Sequence, residues 1–279
     1  MEAGRPSRTA LRVAQRRAAH QVLDRPPVLA DPVAIPILGP HFAFDPARES
    51  SRFARAFRAF MAARSRYAED RLADAVARGV SQYVILGAGL DTFAYRNPFP
   101  ALGVFEVDFP ATQAWKRALL DDAAIAIPAG LTFVPVDFET QTLAAGLAGA
   151  GFNAAAPAFF GWLGVVPYLT LDAFRATLAV VAGLPAGSGV SFDYGLSPHT
   201  FGPLRRLAFE QLARRVAASG EPFRLFFTPQ ELDAEFRRAG FSTFEHHDSD
   251  ALNQLYFAAR ADGLALPSPG MGQMATAWV

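Results

Sequence analysis

Tyr83-Val84-Ile85-Leu86-Gly87-Ala88-Gly89-Leu90-Asp91-Thr92-Phe93-Ala94-Tyr95-Arg96 carries the decisive pattern. Its first four residues form a short, continuous apolar run, as expected for a central parallel strand covered on both faces. Gly87 and Gly89 then permit a sharp turn and a close approach of backbone to ligand, at the carboxyl end of the strand, where open α/β sheets bind small molecules. A short helix completes the unit. Two glycines after a strand also occur in purely structural turns, so the neighbouring segments decide the reading.

The next strand, Gly103-Val104-Phe105-Glu106-Val107-Asp108, ends in an acid 21 residues after Gly87 and is followed by Phe109-Pro110. An acid at that distance is where a Rossmann-like site hydrogen-bonds the ribose hydroxyls of an adenosyl ligand. Its alternative role is to cap the following helix. Glu106 shares a strand face with Asp108, and its role is open. Asp91 narrows the ligand, because a pyrophosphate on bare amides would be repelled by an aspartate at the mouth of the turn. The third glycine of a dinucleotide fingerprint is also replaced, by Thr92. A ligand with an ammonium and a sulfonium but no phosphate suits the acid.

These segments resemble the leucine carboxyl methyltransferase-like family of S-adenosylmethionine-dependent enzymes, in which Gly-x-Gly-x-Asp-Thr precedes an aromatic and an arginine and the next strand ends in Glu-Val-Asp-x-Pro. The resemblance extends over about residues 7 to 260. It implies a class I methyltransferase: an α/β, Rossmann-like fold with a seven-stranded, mostly parallel sheet, an N-terminal helical lid and S-adenosyl-L-methionine as cofactor. Gly87, Gly89, Asp91 and Asp108 are then cofactor-binding candidates. Ala63-Arg64-Ser65-Arg66-Tyr67 is similar to the family's Arg-Thr-Arg-aromatic segment, which implies that Arg64 pairs with the methionine carboxylate. A guanidinium suits that contact through two parallel hydrogen bonds, and a surface pair with Glu69 or Asp70 is the alternative. Asp31-Pro32-Val33-Ala34 resembles the family's Asp-Pro-Leu-Ala within the lid.

Leu131 to Phe138 reads as a strand ending in Asp137-Phe138. Related methyltransferases direct such an acid to the adenine amino group, and the Phe138 ring could stack on adenine; alternatively Asp137 caps a helix from Thr140. Ala158 to Trp162 is the fourth strand, and Gly164 to Thr170 resembles the segment lining the methyl-transfer cleft, with Tyr168 as catalytic candidate or as a packing residue. Leu163 stands where many relatives carry a glutamate, so no acidic methionine contact transfers there.

In chain order, Ser7 can cap a helix over about residues 8 to 23 with Leu11, Ala14, Ala18 and Val22 on one face, ended by Pro26 and Pro27. A helix from Glu49 places Phe53, Phe57 and Phe60 in the core and Arg52, Arg55 and Arg58 on a solvated face. Thr170 caps a helix with a Leu171, Phe174, Leu178 and Val181 stripe. Gly189 to Tyr194 is the fifth strand. An insertion over about 195–227 follows, with His199, Tyr194 and Phe201 as weaker substrate-site candidates. Thr228-Pro229-Gln230-Glu231 is a capping box, and Gly240 stops its helix. Residues 241–247 and 253–260 read as the closing antiparallel hairpin, with His246 and His247 on opposite faces. The expected organisation is one domain over 1–279: a lid over about 1–75, a core over 80–260 and a loose tail over 262–279.

Composition bounds the function. A chain of 279 residues buries roughly three quarters of its unfolded surface in one large domain. Basic and acidic residues balance at 26 each, so no global field favours nucleic acid or an anionic membrane. A small-molecule partner is expected. The absence of cysteine excludes disulfides, thiolate metal sites and a cysteine nucleophile, and fits a cytoplasmic protein. Lys116 is the single lysine, outside any Gly-Lys-Ser/Thr loop and with Thr112 in place of a short-chain dehydrogenase tyrosine. The proline-interrupted apolar run from Ala154 to Leu171 reads as strand and loop rather than a span. No metal site is read. The expected activity is O-methylation of a carboxylate on a small organic molecule. The alternatives are a phenol acceptor, a non-catalytic adenosyl- or protein-binding module on the same fold, and, third, a nicotinamide-dependent oxidoreductase.

Overall fold

The computed structural model describes residues 8–40, 42–138, 140–217 and 222–279; Ser7 lies outside them. The elements in order are α1 (Arg8–Leu23), α2 (Pro46–Glu49), α3 (Arg52–Ala77), β1 (Gln82–Leu86), β2 (Gly103–Asp108), α4 (Pro110–Asp122), β3 (Leu131–Pro135), α5 (Leu143–Gly149), β4 (Phe159–Trp162), α6 (Leu171–Ala182), β5 (Gly189–Gly195), α7 (Pro203–Ala217), α8 (Pro229–Ala239), β6 (Thr243–His247), α9 (Ser249–Tyr256) and β7 (Gly272–Trp278). They form a seven-stranded sheet in the order β3-β2-β1-β4-β5-β7-β6. β3, β2, β1, β4 and β5 pair in parallel, and β7 runs antiparallel between β5 and β6. All five residues of β1 are buried, as a central parallel strand requires. The order reverses between β1 and β4, and a crevice opens beyond the strand ends at such a reversal.

The two faces of the sheet are covered by different helices. Leu143 and Leu147 of α5, Phe174, Leu178 and Val181 of α6, and Leu232 and Phe236 of α8 bury one face. Leu72 and Ala75 of α3 bury the other, and Ala14 of α1 packs with Leu120 of α4 beside it. The capping box at Thr228 and Glu231 forms, and Thr170 caps α6 through Ala173 N.

Several local expectations are corrected. The helix bearing the phenylalanine stripe begins at Arg52, not Glu49, and its packing face is Ala54, Met61, Ala68, Leu72 and Ala75, small residues that let it lie close to the sheet. Phe53 is therefore 55% exposed, while Phe57 and Phe60 are half-buried. Arg58, expected in solvent, is 1% exposed. Its guanidinium makes two bonds to Asp24, at 2.6 and 2.9 Å, and two to Glu49, at 3.0 Å to the backbone carbonyl and 3.2 Å to the carboxylate. Charge periodicity could not show that these acids converge on it. Val22 is exposed, unlike Ala14 and Ala18. Residues 253–260 do not form a strand: Asp248 accepts from Ala251 N and caps α9 instead. The closing strand β7 comes from the stretch expected to be loose, where Met274, Ala275 and Ala277 are buried between β5 and β6.

Candidate functional site

A cavity of about 990 Å³ lies at the carboxyl ends of β1, β2 and β4 and is bounded by α1, α3, α5 and α6. Arg64, Gly87, Gly89, Asp91, Asp108, Asp137, Phe138 and Tyr168 all line it. His199, Tyr194 and Phe201 do not. Tyr194 is buried, with its hydroxyl bonded to Gln273 and His246, and His199 Nδ1 lies 2.8 Å from Ser197 Oγ.

The turn after β1 is pinned by Gly87 N and Ala88 N, both donating to Val107 O of β2. Gly87 and Gly89 take φ values of +65° and +49°, which a side chain would strain. Close neighbours exclude a Cβ as well, since one on Gly87 would lie 2.5 Å from Val165 and one on Gly89 2.9 Å from Ala10. α1 thus sits directly over the turn, with Thr9, Ala10, Val13, Ala14 and Arg17 forming part of the cavity wall.

Asp108 lies at the end of β2. Its two oxygens accept from Gly89 N and Phe109 N, each at 2.6 Å. The carboxylate therefore fixes the glycine turn and also faces the cavity. Burial raises its pKa, opposed by those two amides. Asp91 accepts from Phe93 N at 2.7 Å and lies 3.5 Å from Arg17. The third strand stops at Pro135, so Asp137 and Phe138 lie in the loop beyond it. Thr142 caps α5, in place of a helix from Thr140. Phe138 is 57% exposed at the cavity wall.

Arg64 is buried on α3 and donates to Asp193 of β5 at 3.3 Å. Neither Glu69 nor Asp70 takes it: Glu69 pairs with Arg96 and Asp70 with Arg66. Asp193 also accepts from Gly164 N at 2.6 Å, and a Cβ on Gly164 would come 2.8 Å from the Arg64 guanidinium. Arg64 Nε is buried with no hydrogen-bond partner among the described residues. The Nε atoms of Arg17, Arg71, Arg96 and Arg205 share this state.

Sequence reasoning missed Arg17, Asp193 and Arg224, and it quoted Asp31 as part of a family motif without giving it a role. Asp31 is a hub: it accepts from Thr92 Oγ1 at 2.6 Å and lies 3.5 Å from Arg17 and 3.6 Å from Arg96. Arg17 also donates to Leu90 O at 2.5 Å, so α1 is tied to the glycine turn by a hydrogen bond as well as by its ion pairs with Asp31 and Asp91. Asp193 had a usable signal, an acid near the carboxyl end of a central strand. Arg17 and Arg224 had none in a chain with so many arginines.

A profile of the leucine carboxyl methyltransferase family matches residues 10–182. YktD of Bacillus subtilis (strain 168), named provisionally as an S-adenosyl-L-methionine-dependent methyltransferase, is 38% identical over 206 residues, 73% of this chain and 67% of YktD. A protein of Mycobacteroides abscessus with the same provisional description is 37% identical over 209 residues, 72% of this chain and 67% of the relative. Among crystal structures, a provisionally named methyltransferase of Thermobifida fusca YX aligns with a TM-score of 0.56 at 19% identity, over 87% of this chain and 91% of that one. That last likeness is one of fold.

Proposed function

The chain belongs to the leucine carboxyl methyltransferase family of S-adenosyl-L-methionine-dependent methyltransferases, and on that premise we propose that it methylates a carboxylate oxygen of a small organic molecule. The observation that carries the reading is the convergence of Arg64, Asp108 and the glycine turn on one cavity at the sheet's switch point. The residues fit the cofactor: Asp108 suits ribose hydroxyls, Asp137 and Phe138 suit adenine, Arg64 suits the methionine carboxylate, and Asp91 suits positive charge at the turn. When bound, S-adenosylmethionine supplies a methyl group already activated on a sulfonium.

The protein's own part is then positioning and exclusion of water. Asp108 fixes the turn through Gly89 N, and Asp193 fixes Arg64 and Gly164 together. α1 covers the turn. A carboxylate acceptor is deprotonated at neutral pH and needs no general base, and orientation with desolvation is a sufficient source of rate. Tyr168, in the turn after β4, lines the same cavity, and on this reading it borders the acceptor.

Incubation with labelled S-adenosylmethionine and a panel of organic acids and phenols tests the activity. The expected product releases its methyl group as methanol in mild alkali; an alkali-stable product would point to phenolic or nitrogen methylation instead. A second expectation concerns Arg64. Arg64→Ala should weaken S-adenosylhomocysteine about tenfold to hundredfold and adenosine little, because only the former carries a carboxylate. Equal losses in calorimetry would contradict the carboxylate contact.

A further inference from the structure

Three arginines, Arg17, Arg64 and Arg224, line the cavity. Arg17 lies 3.5 Å from both Asp31 and Asp91, and Arg64 lies 3.3 Å from Asp193. Arg224 is exposed, and no carboxylate among the described residues pairs with it.

Backbone bonds fix where Arg224 stands. Arg224 N and Leu225 N donate to Pro167 O at 2.7 and 3.2 Å, tying the segment 222–227 to the turn that holds Tyr168. The far end is tied by Phe227 N to Gly195 O and by Ser197 N to Phe227 O, both at 3.1 Å. Pro222 and Arg224 line the cavity. Phe223 between them packs against Tyr168, Phe226 and Phe209, with ring centroids at 5.4, 6.2 and 6.4 Å. Pro222 and Arg224 thus stand at the cavity, while the Phe223 ring joins an aromatic cluster that anchors the segment.

Sheet order separates this cation from the cofactor residues. Asp108 and Asp137 follow β2 and β3, on one side of the switch point, whereas Arg224 is bonded to the turn after β4, on the other. With Arg64 given to the cofactor's carboxylate, Arg224 is a surplus positive charge facing the place left for a second molecule.

We propose that Arg224 is the acceptor-binding residue: a small monocarboxylic acid docks its carboxylate on Arg224 beside Tyr168 and loses the charge that held it when it is methylated. The proposal rests on the carboxylate reading of the reaction. In the step, a carboxylate oxygen bonds to the methyl carbon, the methyl–sulfur bond breaks with its electron pair going to sulfur, and no proton is released. The neutral ester cannot form the charge-assisted pair, so product leaves more readily than substrate entered.

The probes are benzoate, phenylacetate and octanoate with their methyl esters, offered to protein saturated with S-adenosylhomocysteine and followed by calorimetry, with labelled donor for turnover. At least one acid should bind the wild type, with its ester weaker by about tenfold or more. Arg224→Gln should weaken that acid by about tenfold to hundredfold and leave S-adenosylhomocysteine affinity unchanged, and Arg224→Lys should restore part of the loss. Equal acid affinity in wild type and Arg224→Gln, or no binding of any of these acids to the wild type, overturns the role of Arg224; methyl transfer to the acids in either case leaves the carboxylate reading standing. Methylation of phenols or amines with no acid methylated overturns that reading instead.

Discussion

Asp108→Ala is expected to weaken S-adenosylmethionine binding by about tenfold to hundredfold in a protein that still folds, since a hydrogen bond to a charged group contributes about 1.5 to 3 kcal/mol. The structure gives this carboxylate two tasks. It faces the cavity, and its oxygens accept from Gly89 N and Phe109 N. Alanine removes the proposed ribose contact and also frees the amide that holds the glycine turn. Asp108→Asn separates the tasks, because its one amide oxygen can accept from Gly89 N while the charge is gone. An affinity for the asparagine variant between those of wild type and alanine supports both roles. Calorimetry on variants with wild-type melting curves is the measurement, and unchanged affinity in Asp108→Ala would remove Asp108 from the site.

The central strands and the glycine turn were legible because local chemistry dictates them. Tyr83 to Leu86 is apolar on both faces, and only glycine tolerates the positive φ at Gly87 and Gly89 with Val165 and Ala10 against them. The eight candidate site residues meet at one cavity because each lies at or just beyond a strand end or on the helix over it, positions that a parallel sheet brings together. What was not legible depends on partners distant in sequence. Arg58 looked solvated until Asp24 and Glu49 were placed around it. Asp193 lies 129 residues from Arg64, and no pattern within either segment announces the pair. β7 was missed because Gly272 to Trp278 follows a run of Gly and Pro and carries few β-branched residues. Its strand state is imposed by β5 and β6 on either side. The opposite error at 253–260 has the same origin, since Leu255 to Ala259 reads as apolar but Asp248 starts a helix just before it.

Lys116→Met is expected to destabilise the fold by roughly 3 to 5 kcal/mol near neutral pH, the usual consequence of removing one partner of a buried pair. Lys116 on α4 is 1% exposed and donates to Glu106 Oε2 and to Asp91 O, both at 2.6 Å. It therefore ties β2 to the glycine turn beneath the cavity. Glu106 is fully buried, and its other oxygen, Oε1, has no hydrogen-bond partner among the described residues. Burial pushes its carboxyl up to about 7 from an ordinary 4.5, with Lys116 opposing the rise. The sign follows from proton counting. Between those two values the folded state holds more protons than the unfolded one, so the contribution of Glu106 to stability is greatest at low pH and is lost as pH rises through about 7. Glu106→Gln should flatten that slope relative to wild type. In Lys116→Met the carboxyl loses its counter-charge and titrates higher still, so the destabilisation should shrink on acidification from about pH 8 to about pH 5.5 as Glu106 becomes neutral. Urea denaturation of wild type, Lys116→Met and Glu106→Gln at both pH values is the test. A Lys116→Met deficit that is the same at both, or a Glu106→Gln slope identical to wild type, would contradict a buried carboxylate titrating near neutrality under the site.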